Sequence, residues 1–339
     1  MSGRVVCFGE LLLRLGAPGR QRLLQSPQLE VHVGGAEANV AVSLARFGHE
    51  AVMVSLVPDN PLGDAARGEL RRQGVDTRAV LTGVGRMGLY FLETGAIQRP
   101  SRVLYDRAGS AFAIAGTAPY DWPALLAGAS WLHLSGVTPA LGERGAEVAI
   151  VAARAARDAG VRVCFDGNFR SSLWQESKCN PAPILHTLMS LADLAFADHR
   201  DIAVVLAAKA SGDSGGDDPA AAARLAFEAF PNLQRLACTR REQRDVDHHL
   251  LSASLFHRDG SAVHTASREL HGIVDRIGAG DAFAAGFLHG LLDGMSDEDG
   301  LSFALAAASL KHSAPGDFNL VSAQDVNDLI AGGGFHVRR

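Results

Sequence analysis

Excess positive charge, aromatic side chains, paired cysteines and long apolar runs are all scarce in this chain. Its 339 residues carry 32 Lys and Arg against 37 Asp and Glu, a formal charge of −5. Broad electrostatic binding to nucleic acid or anionic lipid needs clustered, uncompensated basic residues, so neither is expected as a partner. Aromatics make up only 6%, with three Tyr and three Trp, too few for stacking platforms along a single strand. Cys7, Cys164, Cys179 and Cys238 stand singly with no C-x-x-C pair, which excludes zinc-ribbon and thioredoxin-like motifs and suits a reducing cytoplasm. No stretch approaches the ~18–20 apolar residues of a membrane span. The first apolar segment is broken by Glu10 and Arg14, unlike a secretory h-region. A cytoplasmic location is expected.

What is present is a regular alternation of strands and helices. Hydrophobic residues reach 47%. Apolar, strand-like runs occur at Val5–Gly9, Ala51–Val57, Ser130–Leu134, Val161–Phe165, Leu194–Phe196 and Leu233–Cys238. Between them, helical spacing is read over Ala38–Phe47, Leu62–Gln73 and Glu143–Ala159, stopped by Gly48, Gly74 and Gly160. This pattern predicts a doubly wound α/β fold with a mostly parallel sheet covered on both faces. Residues 10–33 and 84–112 depart from it, with alternating strand-like pieces and no helices. They are read as an antiparallel β-sheet lid over a core formed by 1–9, 34–83 and 113–339, because ligands bind outside strand C-termini in such sheets. Ser211–Pro219 reads as a surface loop.

Two glycine-rich strand-to-helix junctions carry the chemistry. In Asp275-Arg-Ile-Gly278-Ala279-Gly280-Asp281, the glycines let backbone N–H groups converge on an anion at a helix N-terminus. Asp281 beside them could take a proton from a hydroxyl. On its own the motif is equally well explained by Asp281 as the helix N-cap, and a helix N-terminus by itself lowers the pKa of a carboxylate and weakens it as a base. It is not a dinucleotide fingerprint, whose third glycine would fall on Phe283, and no Walker A loop occurs. The second junction, Gly34-Gly35-Ala-Glu-Ala-Asn39, allows close approach of a ligand and offers the Asn39 amide one turn into a helix.

Together these elements resemble the two signatures of the ribokinase-like (PfkB) carbohydrate kinases, and the similarity runs from Phe8-Gly9-Glu10 to Pro315-Gly316-Asp317-Phe318-Asn319. The resemblance implies a ribokinase-like core with a β-sheet lid, phosphorylation of a sugar hydroxyl by ATP with Mg2+, Asp281 as catalytic base, and the amides of Gly278, Ala279 and Gly280 as an anion hole. Within the family, Val33–Asn39, Gly88-Leu-Tyr90, Tyr105–Ala111, Leu134–Ala140 and Asp166–Trp174 are most similar to 2-keto-3-deoxygluconate kinases. A sugar-acid carboxylate suits the planar fork of arginine, and Arg107 and Arg170 stand at a lid strand's end and after a core strand; alone, each would read as a surface ion pair. Tyr90 and Tyr105 would cover the substrate, while Gly34, Gly35 and Asn39 would fix its hydroxyls.

The chain departs from the wider family twice. Asp198-His-Arg-Asp201 replaces Asn-x-x-Glu, leaving Asp198 and Asp201 to organise Mg2+ through water. Thr239-Arg240-Arg241 stands where a glycine-rich phosphate loop is usual, so arginine charge would substitute for backbone amides at the nucleotide. His199 reads as a bystander, and His248-His249 as a solvated loop. The expected activity is ATP-dependent conversion of 2-keto-3-deoxygluconate to its 6-phosphate; a kinase for a neutral sugar such as fructose or ribose, or a non-catalytic sensor, are the rivals. Apolar Leu89, Phe91, Val103 and Leu104 in the lid imply a homodimer.

Overall fold

The computed structural model describes residues 3–207 and 218–332; most of the loop read at Ser211–Pro219 lies outside them. The chain enters as β1 (Arg4–Phe8), leaves the core for β2 (Leu12–Gly16) and β3 (Glu30–Gly34), and returns through helix Ala36–Arg46 to β4 (Glu50–Pro58). After helix Pro61–Arg72 come β5 (Val80–Gly83), β6 (Gly88–Glu93) and β7 (Arg102–Asp106). The second half supplies β8 (Trp131–Ser135), β9 (Arg162–Asp166), β10 (Leu194–Phe196), β11 (Arg235–Gln243), β12 (His248–His257), β13 (Ala262–His264) and β14 (Arg268–His271), then helices Ala279–Asp293 and Asp297–Lys311.

One sheet runs β13-β12-β11-β10-β9-β8-β1-β4-β5, with β14 paired to β12. It is parallel from β11 to β5 and antiparallel where β12 turns back. Consecutive residues of β1 enter opposite cores. Val6 and Phe8 pack in one with helices Glu143–Asp158 and Pro181–Leu191, and Val5 and Cys7 in the other with Ala36–Arg46 and Ala279–Asp293. Burial of both faces is why these strands read as unbroken apolar runs rather than alternating ones.

A second sheet, β3-β2-β6-β7, stands apart. The sequence reading treated all of it as antiparallel, but the central pair β2–β6 is parallel, with Arg14 opposite Tyr90. The two strands are separated by the whole segment 17–87, so no tight hairpin joins them, and parallel pairing needs such a long crossover. Its faces differ in chemistry. Leu12, Arg14, Tyr90 and Tyr105 share one, and Leu15, Val31, Phe91 and Leu104 share the other.

Two further expectations change. β11 continues to Gln243 in an unbroken nine-pair register with β12, so Thr239-Arg240-Arg241 is strand rather than loop. Lacking the glycines that would release the backbone, these residues stay in the ladder. For the same reason His248 and His249 are strand residues, and His249 is fully buried.

The closest helix contact sits behind the glycine motif. A Cβ on Gly286 would lie 2.7 Å from the Ala304 Cα, and one on Gly290 would lie 2.8 Å from the Gly300 Cα. Gly286→Val should therefore force helices Ala279–Asp293 and Asp297–Lys311 apart and destabilise the protein by about 1–3 kcal/mol. A urea unfolding midpoint equal to that of the parent protein would contradict this packing.

Candidate active site

A cleft of about 800 Å³ opens where β9, β10 and β11 end. Asp166 and Phe196, the last residues of β9 and β10, line it from the main sheet; Leu12, Tyr90, Val103 and Tyr105 line it from the second sheet. Gly278, Gly280 and Asp281 close one side. The placement follows from topology, since parallel strands present their C-terminal ends to the same edge.

Asp281 is not a helix N-cap. Gly278 holds that position in the left-handed region (φ 80), and its missing Cβ is required because one would lie 2.0 Å from the Asp317 carbonyl oxygen. Asp281 is the third residue of the helix, buried, and accepts a hydrogen bond from Asn39 Nδ2 at 2.6 Å. The two glycine motifs thus meet across 242 residues of sequence. Burial pushes the Asp281 pKa up to about 7, against the downward pull of the Asn39 bond, with Glu37 adding to the rise. The lowering expected from the helix N-terminus is overturned: a desolvated carboxylate outweighs the end of one helix. Of the three amides read as an anion hole, that of Ala279 donates to the Arg276 carbonyl at 3.3 Å. Ala279 is buried off the cleft, and Gly278 and Gly280 line it.

Gly35 caps the helix Ala36–Arg46 at φ 145, where a Cβ would meet the Glu10 carbonyl at 2.2 Å. Gly34 lies just behind, against the Asp317 carboxylate, and does not line the cleft. Asp317 also accepts from Tyr90 Oη at 2.7 Å and lies 3.2 Å from Arg14, whose other Nη reaches Asp275 at 2.7 Å. Burial raises the Asp317 pKa to about 6, opposed by Arg14. Arg14, Asp275 and Asp317 had no assigned role in the sequence; only the position of Asp317 at the end of the family resemblance pointed to it.

Tyr90 and Tyr105 face each other across β6 and β7, ring centres 6.3 Å apart. Arg107 lines the cleft beside them but is no surface residue, for its Nε donates to buried Glu10 at 2.5 Å. Glu10 also accepts from Ser110. Arg170 lies at the cleft with no ion pair among the described residues; its Nη1 donates to the Phe169 carbonyl at 3.2 Å. Strand alternation divides the β11 residues: Thr239 and Arg241 line the cleft, and Arg240 is exposed away from it. Partial desolvation in the cleft and the neighbouring charges of Arg276, Arg170 and Arg200 depress the Arg241 pKa. Arg276 is a cleft residue that the reading passed over, although it lies inside the glycine motif.

Asp198 and Asp201 reach the cleft, but their first use is local. They form a reciprocal capping box on the helix His199–Val205, and Asp198 pairs with Arg200. Burial and Asp198 raise the Asp201 pKa to about 6. Asp166, also missed, is raised well above its usual range by burial and then by Asp281 and Asp201. Grouped carboxylates in one cleft are the donor type that Mg2+ prefers, so Asp166 and Asp201 are the acids here that could hold one.

Comparison with known proteins identifies relatives along the whole chain. A family model described as pfkB family carbohydrate kinase matches residues 2–323. A 2-dehydro-3-deoxygalactonokinase of Haloferax volcanii is 34% identical over 98% of each chain. A 2-dehydro-3-deoxygluconokinase structure from Thermotoga maritima superposes with a TM-score of 0.90 at 39% identity, covering 97% of this chain and 100% of that one. A fructokinase of Klebsiella pneumoniae is 31% identical over 86% of this chain and 85% of its own.

The raised pKa of Asp281 has a signed consequence for stability. Its native value of about 7 lies above the ordinary 3.8, so between those limits the folded protein holds a proton that the unfolded chain has lost. Stability therefore falls as pH rises through this window, and the loss is complete above pH 7, with a ceiling of about 4 kcal/mol. Asp281→Asn removes the ionisation and can keep the Asn39 bond. It should be more stable than the parent protein at pH 8 and not at pH 4 in urea titrations; equal stability at both would contradict the buried-charge account.

Proposed function

The chain belongs to the PfkB family of carbohydrate kinases, and on that premise we propose that it phosphorylates 2-keto-3-deoxygluconate (2-dehydro-3-deoxygluconate) at its terminal hydroxyl, using ATP and giving the 6-phosphate. The observation that carries this reading is the pair of arginines, Arg107 and Arg170, in the same cleft as Asp281. A guanidinium held by a buried carboxylate through Nε, as Arg107 is by Glu10, is oriented for a second anion on its remaining N–H groups. That suits a sugar acid; a neutral sugar has no use for it.

In this reading Asn39 orients Asp281, which accepts the proton of the attacking hydroxyl as the new O–P bond forms. A pKa of about 7 matches a base working near neutrality. The amides of Gly278 and Gly280 hold the transferring phosphoryl group at the helix N-terminus. Thr239, Arg241 and Arg276 line the nucleotide side, their charge serving where a glycine loop is absent. Mg2+ arriving with ATP supplies neutralisation of phosphate charge, with Asp166 and Asp201 holding it through water and Asp198 beside them. Tyr90 and Tyr105 cover the substrate, so β2, β3, β6 and β7 serve as a lid. Positioning and electrostatics provide the catalysis, as in phosphoryl transfer generally.

The apolar outer face of that lid, with Val31 and Leu104 59% and 62% exposed, supports a homodimer formed through it. A monomeric mass by light scattering at micromolar concentration would contradict the dimer.

The function is tested by ATP-coupled turnover on 2-keto-3-deoxygluconate, its galactonate epimer, fructose and ribose. We expect the gluconate to be the best substrate, and Asp281→Asn to lose turnover while retaining binding. Arg170→Ala, and Arg107→Lys, which keeps Glu10 paired, should each raise KM for the keto acid by about 10–100-fold and leave any fructose activity near its parent value. Preference for fructose with both arginines dispensable would establish a neutral-sugar kinase. Preference for the galactonate epimer would reverse the assignment at C4.

A further inference from the structure

Away from the cleft, three metal-binding side chains converge on the β12–β14 ladder. His248 lies directly opposite His271 in the antiparallel register, and Glu269 is two residues from His271. Cross-strand partners and i, i+2 residues share a face, so the ladder itself places all three together. His248 Nε2 is 2.8 Å and His271 Nε2 3.3 Å from the same oxygen, Glu269 Oε1. The two rings stack with centres 4.0 Å apart. Their hydrogen bonds hold the Glu269 carboxyl below its usual pKa range.

We propose that His248, Glu269 and His271 bind a divalent transition-metal ion of the zinc class, with the fourth position open to water. Zinc bonds of about 2.0–2.2 Å in a tetrahedral site separate its donors by roughly 3.3–3.5 Å. The donors here already sit 2.8 and 3.3 Å apart, so occupancy needs only shifts of a few tenths of an ångström. Imidazole with carboxylate selects zinc, nickel or copper over magnesium, which prefers an all-oxygen shell, so the site would not compete for the ion that accompanies ATP. Glu269 and His271 are more than half exposed, leaving an open path for entry. The other histidine cluster is less suited. His49 Nε2 and His289 Nδ1 already bond each other at 2.7 Å in the core. The consequence of occupancy is mechanical: the His248–His271 end of the ladder is where the chain leaves β14 for Asp275 and Gly278, so the ion clamps the root of the glycine motif.

The test uses chelator-treated, full-length protein without nucleotide, titrated with ZnCl2 by calorimetry and with CoCl2 by visible absorption. The expected result is one saturable zinc equivalent and a tetrahedral cobalt spectrum, with His271→Ala and Glu269→Gln each weakening affinity about tenfold or more. Both changes are at exposed positions, and a cooperative thermal transition in each variant shows that it is folded. No saturable binding by the parent protein would overturn the proposal. So would unchanged affinity in both variants, which would move any ion elsewhere, the His49–His289 pair included.

Discussion

A single buried guanidinium ties the two sheets together. Arg14, on β2 of the small sheet, reaches Asp275 in the approach to the glycine motif and Asp317 beyond the last core helix. Asp317 in turn bonds Tyr90 on the small sheet, and crowds both Gly34 and Gly278 so closely that neither could carry a side chain. Burial works against the charge on Arg14, and Asp317 and Asp275 more than offset it. Removing one member would strand the others, a change costing about 3–5 kcal/mol for a buried pair. The root of the small sheet is therefore fixed to the core. The sheet's connections are held more loosely: the Arg20–Asp247 pair, between the β2–β3 connection and the β11–β12 turn, is exposed and weak.

The same burial sets the chemistry of the acids. A helix N-terminus favours an ionised Asp281, but the side chain is largely buried and takes its hydrogen bond from the Asn39 amide. Desolvation wins, and it wins again at Asp166, Asp201 and Asp317. Keeping each of these carboxylates ionised near neutral pH costs stability, although Asp317 and Asp201 offset part of that cost through the Arg14 network and a helix cap. Several perturbed acids gathered in one cleft are the mark of a functional site.

Much of this was legible in the sequence, and the rest was hidden for definite reasons. Gly35 and Gly278 could be read because a positive φ or a carbonyl at van der Waals distance admits no other residue, so the constraint is written at one position. The doubly wound core could be read because burial on both faces leaves unbroken apolar runs. Pairing partners could not. The parallel β2–β6 register and the meeting of Asn39 with Asp281 depend on chain returns over tens to hundreds of residues. The arginines show the same limit. Arg107 lines the cleft already held by Glu10 and Arg240 faces away from it, yet nothing in the sequence shows the Glu10 partner. The spacing of Asp198 and Asp201, which suits a metal held through water, also spells a capping box, and the structure forms that box.

Bulk charge and local charge answer different questions here. A chain of net charge −5 repels large polyanions, because their attraction sums over many contacts within a screening length. A small anion samples only the field inside the cleft, where the low dielectric strengthens each nearby charge. There Arg170, Arg241 and Arg276 line the same cleft with no ion pair among the described residues, and desolvation together with the charges of Arg276 and Arg170 depresses the Arg241 pKa. Several arginines elsewhere are paired: Arg4 with Glu50, Arg72 with Glu69, Arg78 with Asp76, Arg157 with Asp193. These three arginines give one part of the cleft a local positive potential in a chain that is acidic overall, and a small anion entering there would meet it.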